Sequence, residues 1–159
     1  MKKKSAGGFG LTEVVAAAAI ISLALFALIG VLQKTLTAAD LSVKSTQAAF
    51  LLEEGMEAAR SLRDGGWSAK IAPLATSTPY YFYFNAGSWQ ATTTDIYIDG
   101  VFERSFLLAD VFRDANDDLA ASGAFDPNAK KNIVSVSWKM KTGTTTREAS
   151  TYLTNMFEI

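Results

Sequence analysis

Two groups of residues in this chain have types and spacing that could do chemistry. The first is Glu13, a lone carboxylate directly before an apolar run, Val14 to Leu32, that contains no other charge. The second is the stretch RDANDDLAASGAFDP, in which Asp114, Asn116 and Asp118 have the i, i+2, i+4 spacing of oxygen ligands in calcium loops. Leu119 stands where an EF-hand needs its sharp-turn glycine, and Phe125 where it needs its last glutamate, so an EF-hand is excluded. A looser calcium loop that recruits Asp126 and a solvated turn between strands both remain open, because Asp and Asn favour turns in any case. Other site chemistry is thin. The chain has no histidine and no cysteine, which removes the usual near-neutral general base, the commonest metal ligand, thiolate metal sites and disulfides. Serine, lysine and carboxylates are present, but no motif brings them together, and Gly65-Gly66 lacks the lysine and spacing of a phosphate loop. No catalytic activity is expected.

The elements that carry these residues follow from hydrophobic pattern. Val14 to Leu32 is 19 residues long. As a helix it covers roughly 28 Å, close to the hydrocarbon thickness of a bilayer. Lys2, Lys3 and Lys4 precede it, which predicts a cytoplasmic N-terminus and a single-pass inner-membrane protein with its remainder outside. A secretory signal has a shorter apolar region and a small-residue cleavage site after it; here the chain continues as QKTLTAADLSVKSTQAAFLLEEGMEAARSLRD. Leu36, Ala39, Val43, Ala48, Leu51, Leu52, Met56, Ala59 and Leu62 recur near helical spacing in that continuation. One helix from about Leu11 to Arg63 is therefore expected, apolar all round in its first half and amphipathic in its second. Asp64-Gly65-Gly66 ends it.

A helix-start acid complements the helix macrodipole, and Glu13 taken alone needs no other explanation. Its neighbours add more. A basic leader ending in Gly8, then Phe9, Leu11, Thr12, Glu13 and the Val14/Val15 pair at the head of an uncharged run, resembles the signal of type IV pilins and pseudopilins. Gly10 departs from the pattern, where serine or threonine is more usual. The resemblance covers about the first thirty residues. It implies that a prepilin peptidase cuts between Gly8 and Phe9 and N-methylates Phe9. It implies too that Glu13 meets the new N-terminus of a neighbouring subunit during filament assembly. In many pilins a proline stands near the place of Gly30, so Gly30 reads either as local helix softening or as a small residue that lets membrane helices pack closely. The run LLEEGMEAARSLRD followed by a tryptophan-containing loop looks most like minor pilins of the PilV type.

The second half reads as β-rich. WSAKIAPLATSTP is expected as loop, PYYFYF as a buried strand, and DIYIDGVFERSFLLADVF as two strands around an Asp99-Gly100 turn. In NIVSVSWKMK, Val134, Val136, Trp138 and Met140 face one way and Ser135, Ser137, Lys139 and Lys141 the other; Thr142-Gly143 then turns the chain into a last strand. The expected fold class is α+β: a long N-terminal helix with a transmembrane first half, packed against a small antiparallel sheet of roughly four strands. The expected divisions are 1–8 as leader, 9–64 as helix with its membrane segment at 14–32, and 65–159 as globular head.

Lys130, Lys131, Lys139, Lys141 and Arg147 fall on the last strands, but loss of the three leader lysines takes the formal net charge from −1 to −4. That balance disfavours nucleic acid as a partner. The resemblance thus implies a structural subunit, of the minor kind, of a type IV pilus or related cell-surface filament. Its partners would be prepilin peptidase, membrane lipid before assembly and other pilin subunits after it. A pseudopilin of a type II secretion system shares the same signal. From a different class, a single-pass anchored binding or enzymatic domain is the alternative.

Overall fold

The computed structural model describes residues 8, 10–141 and 143–156. Helix α1 runs from Leu11 to Asp64, and the chain divides into two compact units, Met1–Val43 and Lys44–Ile159. The amphipathic half of the helix thus belongs to the same unit as the strands.

In the first unit, the side chains from Leu11 to Val43 are exposed. The segment is long and apolar enough to cross a membrane. Three of its hydroxyls turn inward on the backbone: Ser22 Oγ donates to the Ala18 carbonyl at 2.8 Å, Thr35 Oγ1 to that of Val31 at 3.0 Å and Thr37 Oγ1 to that of Gln33 at 3.0 Å. Such i to i−4 bonds let a hydroxyl sit in an apolar solvent without an unmet donor.

In the second unit, the helix turns Ala48, Gly55, Ala58, Ala59 and Leu62 inward, a spacing of threes and fours that keeps one narrow face against the sheet. The residues on that face are small, and the contact is correspondingly close. A Cβ built on Gly55 would lie 2.8 Å from Val134 Cγ1 and 3.2 Å from Arg104 Cδ, so only glycine fits there without displacing the strand residue.

The helix closes with the Gly65 amide donating to the Ser61 carbonyl at 2.9 Å. Gly66 follows at φ 122°, a conformation that favours glycine. The segment expected as loop instead begins with one π-helical turn, Trp67–Ile71. The Ala72 amide closes it on the Trp67 carbonyl at 2.9 Å. Its physical reason is burial: Trp67 and Ile71 are five-residue-turn neighbours, and both enter the main core.

Among the described residues the sheet is antiparallel throughout and has seven strands, where the pattern led us to expect about four. They are β1 (Tyr80–Asn85), β2 (Ser88–Thr92), β3 (Tyr97–Ile98), β4 (Phe102–Arg113), β5 (Leu119–Ala120), β6 (Ala124–Met140) and β7 (Gly143–Thr154). The order is β2-β1-β4-β6-β7, with the two-residue strands β3 and β5 both paired to β4. The added strand β2 returns from β1 through Ala86 (φ 50°) and Gly87 (φ 77°), a turn that fits the right-handed strand twist.

The Asp99-Gly100 turn is present with φ 53° and 66°, and the Val101 amide bonds the Ile98 carbonyl at 3.0 Å across it. Opposite residues are Phe102 and Trp138, Arg104 and Val136, Phe106 and Val134, in strict alternation. Val134, Val136 and Trp138 are buried as the alternation predicts, and Met140 packs on the same side. Asp110 opposes Lys130 while Val111 opposes Asp126, so residues 127–129 have no partner on β4. Pro127, which cannot donate to a ladder, sits in that interruption.

Arg104 occupies a core position of β4 and is 5% exposed. Its Nη1 donates to Glu54 Oε2 on α1 at 2.7 Å, and its guanidinium lies 5.4 Å from the Trp89 ring centroid and 5.7 Å from that of Phe82. The cation therefore ties the helix to the sheet through a bond to a carboxylate and two aromatic faces.

Candidate functional site: the helix start and the acidic turn

The helix start is organised by two residues. The Gly10 carbonyl accepts the Glu13 amide at 3.0 Å and that of Val14 at 3.3 Å, which makes Gly10 the cap residue and Glu13 the third helical position. From that position Glu13 Oε2 accepts the Gly10 amide at 3.0 Å. This is the glutamate half of a capping box; glycine supplies no side chain for the other half. Glu13 remains exposed, and so does Gly8, where an added Cβ would meet nothing within 4 Å. Phe9 and the three lysines Lys2, Lys3 and Lys4 lie outside the described residues.

Directly after Glu13 the apolar side chains stand open on all sides of the helix; Leu23 is 70% and Phe26 72% exposed. A surface of that size and composition requires lipid or protein cover. Among the described residues the Val14–Leu32 stretch carries no charge to interrupt it. Helix α1 is continuous through Gly30, and a Cβ there would also meet nothing within 4 Å.

The acidic stretch forms a turn held by its own side chains. Asp114 Oδ1 accepts the amides of Asn116 at 2.8 Å and Asp118 at 3.1 Å. The Asp114 amide in turn bonds the Asp118 carbonyl at 2.9 Å. Asp126 is engaged elsewhere: its Oδ2 accepts Arg113 Nε at 2.7 Å and its Oδ1 the Asn128 amide at 2.9 Å. Arg113 Nη1 reaches the Asp117 carbonyl at 2.8 Å. Thus Asp114, Asn116 and Asp118 share one turn, while Asp126 is joined to the turn through the arginine. Among the described residues no group of three or more acidic, histidine or cysteine side chains converges to hold a metal.

The hydrogen bond from Arg113, with the Asn128 amide and the arginine's charge, holds the Asp126 carboxyl below its ordinary range. A depressed carboxyl contributes stability above its unfolded pKa and loses it as pH falls through the folded one. Asp126→Asn is therefore expected to lower the melting temperature by an amount that is constant from neutral pH to about pH 5 and shrinks below about pH 4. Melting curves followed by tryptophan fluorescence check this; a difference undiminished at about pH 2 would contradict the pairing.

The basic residues of the last strands do not gather. Lys130 Nζ turns to Asp110 Oδ1 at 2.6 Å and lies over the Phe125 ring. Lys131 and Lys139 share the opposite face of β6 but stand eight residues apart, about 27 Å along a strand. Arg147 is paired in register with Val136 and so belongs to the other face of the sheet. Sequence reasoning missed Arg104 as a helix–sheet tie, since an arginine in an alternating strand reads as solvent-facing. Comparison of the chain with protein-family models, with curated proteins and with solved structures finds no match.

Proposed function

We propose that the chain is a prepilin whose mature form is a structural subunit of a type IV pilus or related filament, with no catalytic activity of its own. The observation that carries this reading is the lone Glu13 at the head of a helix whose chargeless first part is exposed on every side. Such a helix is held by lipid in the monomer and by the helices of other subunits in a filament. Prepilin peptidase cuts between Gly8 and Phe9 and methylates the new terminus.

In the monomer the Glu13 carboxylate caps its own helix through the Gly10 amide. In the filament it takes the ammonium group of a neighbour's Phe9. A buried pair of that kind adds little net stability but penalises misregister strongly, which suits a device that sets where one subunit stops against the next.

The test is co-expression with a prepilin peptidase. Wild-type chain is expected to shift to the shorter, leaderless form, while Gly8→Ala stays at full length in the membrane. Because an added Cβ at Gly8 meets nothing within 4 Å, a block cannot be ascribed to misfolding. Equal processing of both chains would reject the proposed cleavage site.

A further inference from the structure

The sheet also carries a separate feature with chemistry of its own, bounded on one side by Lys44 of α1. At the end nearest the Asp99-Gly100 turn it holds an open cavity of about 370 Å³, within the size range of small-molecule sites. Tyr97 forms one wall, Val101 comes from the turn after Gly100, Glu103 from β4, Ser137 and Lys139 from β6, and Thr144 from β7. Register explains the convergence: Tyr97 opposes Glu103, Glu103 opposes Ser137, and Lys139 opposes Thr144, so these side chains rise from one face.

Two features mark it as built for hydroxyl recognition. Tyr97 is 54% exposed, yet it sits on a two-residue strand locked by the tight turn, so its ring is presented at little entropic cost. Glu103 is held from behind: Oε1 accepts the Tyr81 hydroxyl at 2.9 Å and Oε2 accepts Ser137 Oγ at 3.4 Å. Tyr81 is itself buried. Its hydroxyl is pushed well above its ordinary pKa by a hydrogen bond to Asp95, by burial and by Glu103, so it stays a donor. Each carboxylate oxygen keeps acceptor capacity for a further donor.

The lining carries both signs, with acceptors on Glu103 and donors on Lys139 and Thr144, so it matches a ligand that has donors and acceptors side by side. A purely apolar ligand would strip water from the carboxylate's remaining acceptor sites and from the Lys139 ammonium group and replace it with nothing. A neutral polyol with one apolar face satisfies all of them: its adjacent hydroxyls donate to Glu103 and accept from Lys139 and Thr144, and its C–H face covers Tyr97. We infer that this cavity binds a neutral pyranose unit of a glycan. The site lies within the Lys44–Ile159 unit and does not depend on the filament reading.

Saturation-transfer NMR on the full chain tests it, in a detergent without sugar headgroups, with methyl glycosides of glucose, galactose, mannose and N-acetylglucosamine as probes. Saturation of ring C–H protons by at least one glycoside is expected, with affinity about tenfold weaker in Tyr97→Ala and in Glu103→Gln. Tyr97 is exposed, so the melting temperature of Tyr97→Ala should match the wild type and separate lost binding from lost folding. No saturation at millimolar concentrations of any probe would overturn the inference. So would saturation that survives both substitutions, or binding of an acidic peptide with none of the glycosides.

Discussion

Glu13→Ala is expected to insert into the membrane and lose its leader as the wild type does, yet to be at least about tenfold depleted from filaments. A carboxylate in lipid costs a few kcal/mol even on permissive scales, so removing it does not impair insertion. On the proposed prepilin reading, what disappears is the partner for a neighbour's ammonium group, and an unpaired buried charge on that neighbour then disfavours assembly by about 3 kcal/mol or more. Glu13→Gln separates this role from helix capping. Its amide oxygen still accepts the Gly10 amide that Glu13 Oε2 accepts at 3.0 Å, but it carries no charge. It should fail in assembly as the alanine does. Incorporation of Glu13→Gln at wild-type level, measured by immunoblotting of sheared filaments, would assign Glu13 to capping alone.

The second large effect is expected at Gly55. Its missing side chain lets α1 approach β6 so closely that a Cβ would come within 2.8 Å of Val134, a residue that is fully buried. Gly55→Leu must push the helix off the sheet and displace the Arg104 side chain that faces it, at a cost of about 3 kcal/mol. That is a large fraction of a typical domain's stability. All three tryptophans, Trp67, Trp89 and Trp138, lie in the Lys44–Ile159 unit, so their fluorescence reports its unfolding without interference from the apolar part of the helix. Gly30→Ala is the control: with nothing near its Cβ, it gains about 1 kcal/mol of helix propensity and leaves the melting temperature of the head unchanged. Equal melting temperatures for Gly55→Leu and the wild type would contradict the close packing.

The long helix, the alternating strand β6 and the Asp99-Gly100 hairpin were legible in the sequence because each rests on local physics: hydrophobic period, pleat and turn chemistry. The strands that escaped notice lacked such signals. Strand β2 follows a turn with Ala86 at φ 50°, where alanine is not the residue that announces a left-handed conformation. Strand β5 has two residues, too few to show a period. The π-helical turn at Trp67–Ile71 exists to bury two side chains that only the finished core can receive.

The candidate site divides the same way. Glu13 and the apolar run announce themselves by contrast along the chain, and the spacing of Asp114, Asn116 and Asp118 does place them in one turn. The engagement of Asp126 by Arg113 depends on strand pairing across the sheet, as does the Glu103 cavity, whose residues come from distant parts of the sequence. Neither has a local signature.

The most direct measurement is the intact mass and N-terminal sequence of the mature protein recovered from cells that contain prepilin peptidase. The expected result is a chain that begins at Phe9 and is one methyl group heavier than the unmodified residues 9–159. A recovered chain that begins at Met1 or Lys2, or that begins at Phe9 without the methyl group, would contradict the prepilin reading.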